Sequence, residues 1–271
     1  MTAELRFKFG ENWSKFLRTA DDRSIFHAER SLTSLLGLER LEGMTFLDVG
    51  SGSGLSSLAA RRLGAVVTSF DYDPAAVECA SALRGKYFPA DESWIISQGS
   101  ALDANFLASL GKFDIVYSWG VLHHTGRMWQ ALDDVSSCVA AGGLLVIAIY
   151  NDQGRASRAW TLVKRAYNRL HPALRFPIVW SAAAWLWGPA MLRDVFTLHP
   201  FATWRNYHRT RGMSPWRDVI DWVGGYPFEV AKADEVFDFY AVRGFRLMKL
   251  VTCGGGHGCN EFAFLRESSK P

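Results

Sequence analysis

The chain has 271 residues, of which 49% are hydrophobic and 21% are charged, so it can bury a sizeable core and is not intrinsically disordered. Four cysteines in this length exclude a disulfide scaffold and favour a reducing cytoplasm. The opening Met-Thr-Ala-Glu lacks the basic and apolar regions of a secretory signal peptide, so none is expected.

The net charge of +3 is the sum of two unlike parts. Between Arg155 and Arg217 there are eleven Lys/Arg residues and one acid, Asp194, whereas the rest of the chain has 19 bases and 26 acids. A mildly acidic body therefore carries one strongly basic segment, which indicates a partner with negative charge.

The residues before the first strand predict an N-terminal helical unit, residues 1–43. Aromatic-rich turns that include Trp13 precede a helix, which the apolar spacing places over Ser24–Leu36. These aromatics either form a lid over a ligand or pack on the sheet.

The chain is organised around a strand, a glycine loop, a helix and a second strand. Thr45–Val49 predicts a buried strand, and glycines follow at positions 50, 52 and 54. The spacing predicts a helix over Leu55–Leu63 and a second strand over Ala65–Phe70, with Asp71 at its end. This order is half of a doubly wound nucleotide-binding fold, in which such an acid accepts both hydroxyls of a ribose.

Asp48 distinguishes this loop from one that binds a pyrophosphate. A carboxylate two residues before Gly50 would repel a pyrophosphate, but it suits a ligand with an amino group and a sulfonium. The motif is GxGxG, in which the third glycine of GxGxxG falls one residue early. It could also suggest a nicotinamide dehydrogenase, but Asp48 and the pair His123-His124 fit that poorly. The alternative is that this loop binds no ligand and is an ordinary glycine turn in an α/β protein.

The stretch TFLDVGSGSGLSSLAARRLGAVVTSFDYDP resembles motif I and the following acidic position of class I S-adenosylmethionine (SAM)-dependent methyltransferases. The resemblance implies that Asp48 lies near the methionine amino group and that Asp71 lies on the ribose. The SAM-binding residues that it implies are Trp13, Asp48, Gly50, Ser51, Gly52, Asp71, Tyr72, Ser100, Ala101 and Trp119.

Alternating helices and strands continue the doubly wound pattern after Asp71. A helix from Pro74 to about residue 86 and a third strand, Trp94–Ser97, lead to Ser100, which stands where the family commonly has an adenine-binding Asp. Asp103 begins another helix, and Phe113–Ser118 is the fourth strand.

Two adjacent histidines, His123 and His124, follow the fourth strand. FDIVYSWGVLHHT closely resembles the corresponding motif of ubiquinone-biosynthesis-like small-molecule methyltransferases. Because the carboxyl ends of parallel strands face the ligand crevice, we expect the pair near the methyl group, where one could act as a general base. Alternatively, one histidine only bonds backbone and shapes the loop.

The next apolar pattern predicts a helix over Arg127–Ala140, ended by Gly142-Gly143, and a fifth strand over Leu144–Ile149. Tyr150 and Asn151 then stand at the crevice end of this strand. Asn151 either binds a substrate oxygen or caps the next helix.

Residues 153–228 are an insertion, because class I folds normally continue from the fifth strand to a short helix and a closing hairpin. It opens with a basic amphipathic helix, Arg155–Leu170, and continues with an uncharged Trp-rich run, Phe176–Leu192. This run is shorter than the about 20 apolar residues of a membrane span. It predicts either an interfacial or pocket-covering helix, or a helical subdomain that packs on the body or on a second subunit.

Basic and apolar residues of the insertion together suit an amphiphile with an anionic head or an anionic membrane face. The residues expected to meet the anion are Lys164, Arg165, Arg205, Arg209 and Arg211. Those expected to meet the apolar part are Trp180, Trp185 and Trp187.

Residues 229–271 are expected to complete the core with a helix over Ala233–Arg243 and an antiparallel hairpin of Phe245–Val251 and Cys259–Leu265. The hairpin loop carries two cysteines and His257, but their spacing is not that of a zinc site, so no metal is predicted. His257 is expected near the substrate instead.

These features predict an α/β protein with a doubly wound, seven-stranded, mostly parallel Rossmann-like sheet. Its parts are the lid, 1–43, the SAM-binding core, 44–152, the insertion, 153–228, and the closing helix and hairpin, 229–271. The expected activity is SAM-dependent O-methylation of a small or lipid-linked, anionic acceptor such as a saccharide or an isoprenoid.

Two other functions remain open. One is an RNA methyltransferase that uses the basic insertion, although the chain has no recognisable RNA-binding module. The other is a non-catalytic SAM-binding scaffold, which the intact Asp48 and Asp71 argue against. A cytoplasmic protein is expected, with peripheral membrane contact or a homodimer as further roles for the insertion.

Overall fold

The computed structural model describes residues 7, 22–211 and 215–268, and its centre is one seven-stranded sheet. The strands are β1 (Thr45–Val49), β2 (Val66–Asp71), β3 (Trp94–Gln98), β4 (Phe113–Trp119), β5 (Val139–Tyr150), β6 (Phe245–Val251) and β7 (Cys259–Arg266). Their order in the sheet is β3-β2-β1-β4-β5-β7-β6. Strands β1 to β5 pair in parallel, and β7 runs antiparallel to both β5 and β6. The predicted doubly wound sheet is confirmed.

Helices connect these strands and form the insertion. In the described part of the chain they are α1 (Asp22–Leu36), α2 (Leu55–Arg62), α3 (Pro74–Tyr87), α4 (Ala104–Leu110), α5 (Met128–Ser136), α6 (Arg155–Arg169), α7 (Phe176–Phe196), α8 (Ala202–Arg211), α9 (Pro215–Gly224) and α10 (Ala233–Ala241). Single 3-10 turns occupy Leu122–His124 and Pro172–Leu174. Asp73 and Asp103 cap α3 and α4, because each carboxylate accepts from backbone N–H groups of the first turn.

The predicted boundary between the fifth helix and the fifth strand is wrong. The helix ends at Ser136 rather than Ala140, and Val139 already pairs with Phe113 in the sheet. Between Phe113 and Ile115 the register of this pairing shifts by three residues, because Ile115 pairs with Leu144. A Cβ at Gly143 would lie 3.0 Å from two carbonyl oxygens, so glycine permits this close approach of backbone. The glycines therefore accommodate an irregular strand and do not end a helix.

Alternate residues of the central strands bury opposite faces of the sheet. Phe46 and Ile115 join an apolar cluster under α1 and α2, whereas Leu47 and Val116 join a second cluster under α5 and α10. Since both faces are covered, the central strands are mostly apolar. Asp48 and Asp71 lie at or near the carboxyl ends of β1 and β2.

The insertion is a helical layer with a core of its own. Trp187 is buried in that core, with its ring 4.9 Å from Trp204 and 4.8 Å from Tyr207, so it does not meet an outside partner as predicted. Trp180 and Trp185 of the same helix are exposed. None of the helices that the structure describes is long and apolar enough to cross a membrane.

Candidate active site

The loop after β1 folds back onto β2. The N–H groups of Gly50 and Ser51 both donate to the carbonyl oxygen of Phe70, at 2.9 and 3.0 Å. Gly50 has a φ of +75°, and a Cβ there would lie 2.3 Å from Cγ1 of Val121. Only glycine satisfies both conditions, so the loop lies directly against the segment that follows β4.

Asp71 closes this loop from the end of β2. Its Oδ2 accepts from the N–H of Gly52 and its Oδ1 from the N–H of Asp73, both at 2.9 Å. Burial raises the pKa of Asp71, and these backbone donors oppose the rise. Each carboxylate oxygen carries two lone pairs, so each can accept one further hydrogen bond. Such an acid fits the two hydroxyls of a ribose.

Asp48 lies buried beneath the loop, where it accepts a 2.6 Å hydrogen bond from Oγ of Ser57. Burial raises its pKa to about 7, while the Ser57 bond lowers it and the charge of Asp71 raises it further. Two neighbouring acids at the loop therefore fit a ligand with positive charge. Sequence reasoning missed Ser57, although a serine on the buried face of α2 is a signal for such a partner.

Ser51 supplies a second observation that fits SAM at this loop. Its Oγ is buried and has no hydrogen-bond partner in the part of the chain that the structure describes. Buried polar groups without partners are rare, and here the missing partner would be a polar group of the ligand. The two carboxylates and the hydroxyl of Ser51 at the loop suit a ligand in which a cationic amino acid is joined to a ribose.

The remaining residues of the implied SAM set lie outside the glycine loop. Tyr72 and Trp119 are exposed, and Nε1 of Trp119 donates to Glu261 at 3.1 Å. Oγ of Ser100 accepts from the N–H of Leu102 at 3.2 Å, and Ala101 is buried. Trp13 lies outside the described residues, as do 20 of the 43 residues of the predicted lid.

The two histidines lie in the turn after β4, and their rings have different proton positions. Nδ1 of His124 is 2.6 Å from the carbonyl oxygen of Pro227, so Nδ1 donates and the neutral ring has its lone pair on Nε2. Nδ1 of His123 accepts from the N–H of Tyr150 at 3.3 Å, so the neutral ring has its proton on Nε2. His124 thus has the form of a base, and His123 that of a donor.

His123 is held neutral by its surroundings. Burial lowers its pKa well below the usual value, the charges of His124 and Lys164 act in the same direction, and the Ala148 carbonyl opposes them. The ring has no exposed surface and lies 3.9 Å from the ring of Tyr150. It is therefore a neutral ring in a buried position.

Tyr150 is the centre of an aromatic cluster at the crevice end of β5. Its ring also lies 5.5 Å from His124, 5.3 Å from Trp222 and 5.3 Å from Phe228. The insertion therefore reaches the carboxyl ends of the strands. His257 joins the same cluster, at 5.6 Å from Trp222, and burial lowers its pKa.

Asn151 links the end of β5 to β7 and does not cap the next helix. Its Oδ1 accepts from Nδ2 of Asn260 at 3.0 Å, and its backbone bridges to Ala231. Gly154 begins the helix instead, held by Oδ1 of Asp152 at 2.8 Å. The capping alternative is wrong.

The basic residues of the insertion divide into two kinds. Lys164 was predicted to lie at the surface, and this is wrong. Its side chain is fully buried, and Nζ donates to the carbonyl oxygen of Trp222. Arg165 and Arg205 are exposed, whereas the side chains of Arg209 and Arg211 lie outside the described part. A helical spacing of positions 157, 160, 164 and 167 marks the buried face of α6 and could have revealed Lys164.

The hairpin loop carries two half-buried cysteines. Sγ of Cys253 donates to the carbonyl oxygen of Gly256 at 3.2 Å. Within residues 22–211 and 215–268, no three His, Cys, Asp or Glu residues are grouped so that they could hold a metal ion.

Comparison with known proteins identifies the family of this chain. A family model described as a methyltransferase domain matches residues 22–187. The ubiquinone biosynthesis O-methyltransferase of Brucella ovis is 36% identical over 112 residues, which are 41% of this chain and 43% of that protein. Its counterpart in Caulobacter sp. (strain K31) is 29% identical over 134 residues, 47% of this chain and 48% of that protein. The chain thus spans about half the length of the curated relatives it matches.

The fold has solved counterparts. Magnesium protoporphyrin IX methyltransferase from Synechocystis PCC 6803 with bound SAH aligns with a TM-score of 0.53 at 14% identity, over 90% of this chain and 84% of that one. This likeness concerns the fold alone. The family model covers more than half of the chain and contains the glycine loop, both acids and the histidine pair. The chain therefore belongs to the class I SAM-dependent methyltransferases.

Proposed function

We propose that this protein transfers a methyl group from SAM to an oxygen atom of a small or lipid-linked acceptor. The observation that carries the proposal is a pair of acids, buried Asp48 and half-buried Asp71, at a glycine loop that faces the crevice end of the sheet. The ubiquinone biosynthesis O-methyltransferases among its relatives support oxygen as the acceptor atom.

When bound, SAM supplies an electrophilic methyl group on a sulfonium. The chain's own residues would position the ligands and accept a proton. Asp71 would hold the ribose hydroxyls, Asp48 would neutralise the amino group, and the turn at Ser100-Ala101 would hold the adenine. His124 would take the proton of an acceptor hydroxyl on Nε2, because its Nδ1 is already committed to the Pro227 carbonyl.

Asp71→Ala is expected to weaken SAM binding about ten- to 100-fold, because a hydrogen bond to a charged acceptor is worth about 1.5–3 kcal/mol. Isothermal titration calorimetry with SAM measures the affinity directly. Asp133→Ala is the matched control, since Asp133 is an exposed acid that pairs with Arg243 on the far side of α5. An affinity for Asp71→Ala within twofold of the natural protein would remove Asp71 from the SAM site.

The surface of the insertion supports an amphiphilic acceptor or an anionic membrane face. It exposes large apolar side chains at Leu162, Leu174, Phe176, Trp180, Trp185, Leu192, Phe196 and Phe201. The same segment of the chain exposes Arg155, Arg158, Arg165, Arg169, Arg193 and Arg205. An apolar surface interspersed with arginines suits the boundary between lipid headgroups and acyl chains.

Reversing Arg205, Arg209 and Arg211 to Glu is expected to weaken binding to anionic vesicles about tenfold or more, since each basic residue near such a surface contributes about 1 kcal/mol. Sedimentation with phosphatidylserine vesicles measures this, and SAM affinity should not change. Reversal of Lys86, Lys112 and Arg246, which are exposed on the core, changes the net charge equally and is the control. Equal losses in both variants would show a response to total charge. A change of sedimentation coefficient in the first variant alone would point to a homodimer interface.

A further inference from the structure

Lys164 is buried between the insertion and the crevice end of the sheet. Its side chain has no exposed surface. Nζ lies 4.4 Å from the ring centroid of Trp222, 4.6 Å from that of Phe228 and 5.9 Å from that of Tyr150. It donates to the carbonyl oxygen of Trp222, which uses one of the three N–H bonds of an ammonium. Aromatic faces attract the charge but offer no hydrogen-bond acceptor of comparable strength.

The charged groups around Lys164 do not compensate its burial. Asp221, on the same helix as Trp222, attracts the ammonium and raises the pKa of Lys164, but burial outweighs this and lowers the pKa to about 7. Two further titratable groups in the described part of the chain, His123 and His257, also feel its charge, and neither carries negative charge. A buried cation in this position is costly unless an anion joins it.

Two further donors of the same cluster have no acceptor. Nε2 of His123 and Nε1 of Trp222 are buried without a hydrogen-bond partner among the residues that the structure describes. The backbone bond at Nδ1 places the proton of His123 on Nε2, and an indole N–H is always a donor. Both rings contact Tyr150, at 3.9 and 5.3 Å between centroids. One aromatic cluster thus contains an ammonium and two unsatisfied N–H groups.

Donors without acceptors indicate what the cluster binds. We propose that Lys164, His123 and Trp222 form an oxyanion subsite, which holds the oxygen to be methylated as an anion carried on a flat, unsaturated group. The ionised oxygen is that of an acidic ring hydroxyl or of a carboxylate. This inference rests on the proposed methyl transfer to oxygen, and it adds the charge state of the acceptor and the residues that select it.

Charge and atom balance favour an anionic oxygen here. In the transfer, the acceptor oxygen forms the new C–O bond as the C–S bond breaks, and the electron pair of that bond stays on sulfur. The negative charge of the oxygen and the positive charge of the sulfonium disappear together. A carboxylate arrives without a proton, and an acidic hydroxyl gives its proton to Nε2 of His124. A protonated amine would place a second cation beside Lys164, so amine acceptors are disfavoured.

The test uses binding of probes to the full chain in the presence of S-adenosylhomocysteine, so that no methyl transfer is needed. The probes are para-nitrophenol, whose absorbance distinguishes the phenol from the phenolate, benzoate, and benzylamine as a cationic control. We expect para-nitrophenol to bind as the phenolate, benzoate to bind, and benzylamine to bind about tenfold more weakly or not at all. The affinities for para-nitrophenol and benzoate show whether the subsite prefers a phenolate or a carboxylate.

Two substitutions test the subsite at single groups. Lys164→Met should lower the affinity for the anionic probes about tenfold or more, and Trp222→Phe, which keeps a ring but removes the N–H, should lower it several-fold. Lys86→Met is the control. Calorimetry with S-adenosylhomocysteine shows whether each variant is folded, and Trp222→Phe keeps the test decisive should Lys164→Met fail to fold.

The proposal is overturned if no probe binds, if benzylamine binds as well as benzoate, or if folded Trp222→Phe and Lys164→Met bind anions as the natural protein does. Failure of the proposed methyl transfer is a separate result, because it would appear as absent SAM binding or absent methylated product. If the protein bound anions in a way that depends on Lys164 but transferred no methyl group, the proposed subsite would stand and the proposed activity would be wrong.

Discussion

His124→Asn is expected to lower the turnover number by about 10²–10⁴, as removal of a general base usually does. The substituted amide can still donate to the Pro227 carbonyl, so the turn after β4 keeps its anchor. What the variant loses is the basic nitrogen, Nε2. SAM affinity should stay within twofold, because the acids at the glycine loop are unchanged. Single-turnover kinetics with a reactive acceptor, together with calorimetry for SAM, separate these two quantities.

His27→Asn is the control for this experiment, since His27 is exposed on α1, away from the crevice. If His124→Asn turned over acceptor hydroxyls at the natural rate, His124 would only shape the loop, as the alternative interpretation of the histidine pair holds. A carboxylate acceptor needs no base, so with benzoate-type acceptors the loss should be much smaller than with hydroxyl acceptors. That difference between acceptors distinguishes a lost base from a distorted site.

Lys164→Met is expected to stabilise the folded protein at pH 7 by about 1–4 kcal/mol, as replacement of a buried charge by an apolar side chain of similar volume can do. The natural side chain is fully buried and makes one hydrogen bond, to the Trp222 carbonyl. Methionine fills the same space without the cost of desolvation. Urea denaturation at several pH values measures the difference in free energy of unfolding between the two proteins.

The sign of the pH dependence follows from the lowered pKa. The pKa of Lys164 is about 7 in the folded state, whereas in the unfolded state it is near the usual lysine value of 10.5. Between these values the unfolded chain binds more protons, so this group makes the natural protein more stable as the pH rises. The advantage of Lys164→Met should therefore be largest at and below pH 7 and should shrink toward pH 10.

Lys86→Met is the matched control, because Lys86 is exposed on α3 and its replacement should change stability by less than about 0.5 kcal/mol. A destabilised Lys164→Met protein at pH 7 would mean that the lysine is needed structurally. The expected result is a variant that folds better but binds anions worse, which is the relation seen where a strained group is kept for function.

Local sequence determined the cofactor half of this protein. Strand β1, the glycine loop, α2, β2 and Asp71 follow one another within about 30 residues, and each is specified by its own apolar spacing or by the freedom of glycine. The sheet order also follows from this pattern, because the order of elements leaves few topologies. These parts were predictable because short-range geometry decides them.

Only the tertiary structure decided the polar half of the site. The proton position of His124 depends on Pro227, 103 residues later, and the Asn151 side chain pairs with Asn260 across 109 residues. The early start of β5 depends on its pairing with β4. In the sequence, Lys164 does not differ from the other bases of the basic segment. Its burial depends on Trp222 and Phe228. A sequence specifies which groups a chain carries, but burial and hydrogen-bond partners decide their charge and proton position, and distant residues supply both.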